Sequence, residues 1–119
     1  NSNIKTVLIA PAANSRQLIE FFFKEMRIKN ELVHQHFYAN IRRLTGKNIE
    51  WFSIARCVDT INGPVLWVHD KNDAVTPVQD ALDIQQTQPT NFRFLFTSNL
   101  GHRRIYRDKD VVSAIINFL

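Results

Sequence analysis

Two short segments hold the residues able to do chemistry. Residues 69–75 contain His69, Asp70, Asn72 and Asp73, and residues 98–107 contain Gly101 and His102. A carboxylate that orients an imidazole and stabilises its charged form, while the imidazole moves a proton, is the standard use of this residue pair. Asp73 and Asp70 are the carboxylates that could serve as the acid, and His102 is the candidate proton carrier. Either aspartate has a turn role as its plainer reading, because aspartate serves turns often. A metal site from His69, Asp70, Asp73 and His102 lacks a recognisable ligand spacing and is set aside. The single cysteine, Cys57, excludes an internal disulfide and a cysteine-based zinc site. His34 and His36 are two apart on a helix and do not share a face. No metal or other cofactor is expected.

The pair matters only if the fold brings it together. Residues 4–10 read as a strand, with Val7, Leu8 and Ile9 as its apolar centre and Pro11 as its end. Residues 15–29 carry a helical stripe of Leu18, Ile19, Phe22, Phe23 and Met26, opened by Asn14 with Gln17. A second helix is expected over 31–45, with Val33, Phe37, Ile41 and Leu44 on one face and Gly46 as its stop. A third is expected over 49–59. Asn62-Gly63-Pro64 is a turn, and residues 65–68 form a second strand. Thr76 is read as the cap of a helix with Pro77 in first position, Gln79 completing a capping box and Pro89 closing it. Residues 92–97 are a third strand. Asp108 caps a last helix with a stripe of Val111, Val112, Ile115, Ile116 and Leu119.

Strands separated by helices imply right-handed crossovers and a parallel sheet. The fold class is α/β: part of a doubly wound parallel sheet, about three strands with flanking helices. In such sheets ligands bind beyond the carboxyl ends of the strands. Asp73 and His102 would lie there, on neighbouring loops.

The run Ile61 to Pro77, Ile-Asn-Gly-Pro-Val-Leu-Trp-Val-His-Asp-Lys-Asn-Asp-Ala-Val-Thr-Pro, resembles the penultimate strand and acid loop of α/β-hydrolases. Gly101-His102 resembles their histidine loop, Phe118-Leu119 the end of their last helix, and Ile9-Ala10-Pro11-Ala12 the strand that follows their nucleophile helix. The resemblance implies that residues 1–119 are a single C-terminal fragment of an α/β-hydrolase domain, with 14–60 as a helical lid-like insertion. It implies a Ser-Asp-His triad acting on ester-like or acyl bonds, with Asp73 and His102 as two of its members. Asp70 departs from the family, which often has glycine there.

The larger departure is the nucleophile. The family carries it on a Gly-x-Ser-x-Gly turn before the acid. Gly46, Gly63 and Gly101 are the chain's only glycines, and none flanks a serine at that spacing. Ser2, Ser15, Ser53, Ser98 and Ser113 have no such context, and Cys57 falls within an expected helix. The chain therefore has no nucleophile of its own and is expected to be inactive alone. Asn1 lies close to the first strand, which reads as a cut chain whose missing N-terminal segment carries the serine.

The expected partners are a small ester or acyl substrate, and either a second copy or the missing N-terminal half, because the first strand would present an open apolar edge. A non-enzymatic module that self-associates through that edge, and one chain of a two-chain hydrolase, are the alternatives. Net charge is +4, but its cations are scattered among acids, so no nucleic acid is expected. No run is apolar enough for a membrane span, and no membrane partner is expected. A cytoplasmic location is the default for a chain with one cysteine and no signal-peptide pattern. Phe21 points away from the stripe of its helix and would either line an acyl pocket or pack between helices. Arg103 and Arg104 would meet an anionic substrate or simply face solvent.

Overall fold

The computed structural model describes residues 4–119. Its three apolar runs become the strands β1 (Thr6–Ile9), β2 (Val65–Asp70) and β3 (Phe92–Thr97) of one parallel sheet in the order β1-β2-β3. β2 is central, and all six of its residues are buried. Alternation along β2 sorts the two faces. Val65 and Trp67 pack with Ala13, Val58, Ala81 and Ile84 on one side. Leu66 and Val68 pack with Ile105 and Val111 on the other. Both faces are covered, which is why the strand reads as unbroken apolar sequence.

Helix α1 (Ser15–Glu25) and helix α2 (Glu31–Thr45) follow β1. Asn14 caps α1 by accepting from Gln17 N, and Gly46 ends α2 in the left-handed conformation at φ 70°. The two helices meet through Phe23, whose ring stacks on His34 at 4.0 Å and meets Phe37 edge-on. No residue of α2 is buried. The hairpin projects, giving a radius of gyration of 16.0 Å where a compact chain of this length has about 13.5 Å. Helix α3 (Val78–Gln86) crosses from β2 to β3. The short helix α4 (Gly101–Arg104) and helix α5 (Lys109–Phe118) follow β3. Asp108 caps α5 by accepting from Asp110 N and Val111 N.

Several expectations are corrected. The helix expected over 49–59 is three short 3₁₀ turns, Ile49–Phe52, Ile54–Arg56 and Val58–Thr60. Ser53 interrupts them in extended conformation because its buried hydroxyl accepts from Ser15 N, and Ala55 N bonds to Ala13 O. α1 stops at Glu25, and Phe22 and Met26 are exposed, since α2 covers only its Phe23 side. The α5 stripe is narrower than expected. Val111, Ile115 and Phe118 face the sheet, while Val112, Ile116 and Leu119 are exposed.

His69 and Asp70 belong to β2 rather than to the loop after it. Thr76 is not the cap of α3. That position is Pro77, no side chain caps the helix, and Gln79 bonds Asp83 instead of closing a capping box. His102 lies on α4, not in an open loop. Among the described residues no helix is long and apolar enough to cross a membrane.

Candidate active site

Register builds the site. Asp70 pairs with Thr97, so β2 and β3 end level and their loops emerge side by side. The chain then turns so that Asp73, three residues past β2, looks back across the sheet end. Its Oδ1 accepts from Val75 N and Thr76 N, both at 2.8 Å. Short polar side chains are used in this way to fix tight turns. Its Oδ2 meets the imidazole of His102, whose Nδ1 lies 2.8 Å away, and the hydroxyl of Thr76 at 3.0 Å.

Asp70 does a different job. Oδ1 accepts from Asn72 N and Gly101 N, and Oδ2 accepts from Thr97 Oγ1 and Leu100 N. The carboxylate is fully buried and holds the loop that carries His102. Gly101, at φ 68°, is the left-handed residue that lets this loop turn into α4. Asp70 is therefore the loop anchor, and Asp73 is the residue that meets the histidine.

Both carboxyls lie below the usual carboxylate range. Burial pushes each upward, and for Asp73 the hydrogen bonds from Thr76 N, His102, Val75 N and the Thr76 hydroxyl outweigh it. For Asp70 the bonds from Thr97, Gly101, Asn72 and Leu100 do the same. Asp73 is thus ionised and can only accept. Nδ1 of His102 must then carry a hydrogen, which leaves Nε2 as the nitrogen with a lone pair. Among the described residues Nε2 makes no hydrogen bond, and the side chain is 28 % exposed. Tyr106 braces the imidazole edge-on, with ring centroids 6.3 Å apart, and donates its hydroxyl to Ile9 O.

Thr76 is the site residue that sequence reasoning assigned to another role. Its hydroxyl lies 3.0 Å from Asp73 Oδ2, 3.1 Å from Ala10 O and 3.2 Å from His102 Nδ1. It joins the end of β1 to the acid and the imidazole. The signal in the sequence was the Asp-x-x-Thr spacing, which lets one carboxylate hold both the amide and the hydroxyl of the later residue.

His69 is buried. Trp67 Nε1, which can only donate, lies 3.2 Å from His69 Nδ1, and Thr76 O, which can only accept, lies 2.8 Å from Nε2. Both ring nitrogens are spent inside the core. His69 and Asp70 thus do not converge with Asp73 and His102 on a metal, and among the described residues no cluster of His, Cys, Asp and Glu could hold one. His34 stacks on Phe23 and bonds Ile28 O, apart from His36.

Ser15, Ser53, Ser98, Ser113 and Cys57 make no hydrogen bond to His102; Ser2 lies outside the described residues. Arg104 donates to Leu100 O and Asn99 O, closing its own loop, and Arg103 is exposed. Behind the acid loop lies a cleft of about 280 Å³ between α1 and Ala74–Asp80. Leu18, Phe21, Ala74, Val75 and Pro77 give it a mainly apolar wall.

The assembled groups can take a proton at Nε2 and hold the resulting imidazolium against Asp73. Comparison with family models, with curated proteins and with solved structures gave no match for this chain.

Proposed function

We propose that this chain supplies the acid and the histidine of a Ser-His-Asp triad in an α/β-hydrolase acting on ester-like or acyl bonds. The observation that carries the reading is the 2.8 Å contact between Asp73 Oδ2 and His102 Nδ1, with Nε2 left unengaged. A parallel sheet with both residues at the carboxyl ends of adjacent strands supports it. So does the acid loop sequence from Ile61 to Pro77.

In this mechanism a serine on another segment gives its proton to His102 Nε2 as it attacks the carbonyl. Asp73 keeps the imidazole in the required tautomer and stabilises its charge. The imidazolium then protonates the leaving group, and a second cycle with water releases the acid. The cleft walled by Phe21 and Val75 receives the apolar part of the substrate. The outer edge of β1 supports pairing with the segment that carries the serine. The amides of Val7 and Ile9 point away from β2 there, and among the described residues no strand pairs with that edge.

The test is labelling with a fluorophosphonate in a polypeptide or complex that unites residues 1–119 with the nucleophile segment. The expected result is a labelled serine outside this chain, with labelling slowed at least ~10³-fold by His102→Ala. Labelling indifferent to both His102→Ala and Asp73→Asn contradicts the proposal. So does ester hydrolysis by residues 1–119 alone that depends on His102.

A further inference from the structure

The turn after α2 gathers positive charge around an exposed aromatic side chain. Arg42, Lys47 and Arg56 line a groove of about 330 Å³ together with Trp51 and Glu50. Lys47 Nζ lies 4.2 Å from the Trp51 ring centroid, and Arg56 Cζ lies 3.4 Å from it. Glu50, the groove's carboxylate, is already paired with Arg16 of α1. Among the described residues, three cations are thus brought together with no free carboxylate lining the groove.

The indole among them is open to solvent, with Trp51 41 % exposed. Arg42 and Arg43 complement the carboxyl end of the α2 dipole. That role does not account for Lys47 and Arg56, which lie against Trp51 instead.

We infer that this corner of the molecule is a peripheral membrane contact, adsorbing to a bilayer surface rich in anionic phospholipid. Charge complementarity selects the partner: phosphate and carboxylate head groups supply the missing counter-charge. The side chains suit the depth, because an indole ring such as that of Trp51 seats at the head-group level while lysine and arginine reach outward to it. A single strand held by base stacking fits less well, because stacking needs free ring faces, and Trp51 already has two cations within 4.2 Å of its ring centroid. The contact is adsorption without a span, and it departs from the sequence-based expectation of no membrane partner. It is independent of the triad.

The test is co-sedimentation of the 119-residue chain with vesicles, read together with tryptophan emission. Trp67 is fully buried and Trp51 is not, so a blue shift on binding reports the proposed contact. The chain is expected to sediment with phosphatidylcholine–phosphatidylserine vesicles, to stay in solution with pure phosphatidylcholine, and to be released by salt. Lys47→Ala lowers the partition coefficient about fivefold. Arg42→Glu, at an exposed position, lowers it further while the chain stays folded at the assay temperature, with only the small drop in unfolding midpoint that an acid at the carboxyl end of α2 brings. Equal binding to neutral vesicles, no binding to anionic ones, or binding unaffected by both substitutions overturns the inference. Tighter binding to a single-stranded oligonucleotide than to anionic vesicles in the same buffer also overturns it.

Discussion

Thr97 Oγ1 donates to Asp70 Oδ2 at 2.6 Å, and this contact ties the last residue of β2 to the last residue of β3. The same carboxylate holds the amides of Asn72, Leu100 and Gly101. Two aspartates three residues apart thus divide the work. Asp70 fixes the loop that carries the histidine, and Asp73 faces the histidine itself.

Removing Asp70 strands donors in the interior. Asp70→Ala is expected to lower unfolding stability by about 3 kcal/mol or more, with Asp70→Asn losing about 2 kcal/mol, since hydrogen bonds to a charged group are each worth roughly 1.5–3 kcal/mol. Urea unfolding measures both. Losses under about 0.5 kcal/mol, the range of an ordinary surface substitution, would show that Asp70 is not the anchor described.

Thr76 joins β1, the acid and the imidazole through one hydroxyl. Thr76→Val keeps the shape and deletes that hydroxyl, with an expected loss of about 1–2 kcal/mol. Thr76→Ser restores most of it. A loss in Thr76→Ser with none in Thr76→Val would point to the methyl group rather than the hydroxyl.

Acid should weaken the fold through both aspartates. Their folded-state values are lowered, so the unfolded chain takes up protons first as pH falls. Their contribution is fully present above the unfolded value, about pH 4 for aspartate, is lost as pH falls through the lower folded value, and changes no further below it. Stability measured in urea between neutral pH and pH 2 should fall along this limb. Asp73→Asn should make the limb shallower by removing one of the two linked protons. An unchanged limb contradicts the assignment.

The strands, α2 with its Gly46 stop and the Asp108 cap could be read from local pattern, because each rests on residues near in sequence. Asp73 and His102 are 29 residues apart, and their pairing was expected from the parallel strand order and from loop resemblance rather than from local pattern. The parts that could not be read depend on distant partners. Ser53 leaves a helical path because Ser15 N, 38 residues away, needs its hydroxyl. Thr76 looks like a helix cap until β1 brings Ala10 O to it. Asp70 looks like a turn residue until the register places it beside Leu100 and Gly101. Periodicity alone likewise could not narrow the α5 stripe, since Val112 and Ile116 are as apolar as the residues that pack.

The tautomer of His102 tests the central claim most directly. Long-range proton–nitrogen correlation of the imidazole side chains, recorded at a pH where His102 is neutral, identifies which ring nitrogen carries the hydrogen. The expected result is hydrogen on Nδ1 and a free lone pair on Nε2, with that preference lost in Asp73→Asn. Hydrogen on Nε2 in the unaltered chain, or an Asp73→Asn spectrum with the same tautomer, would contradict the account.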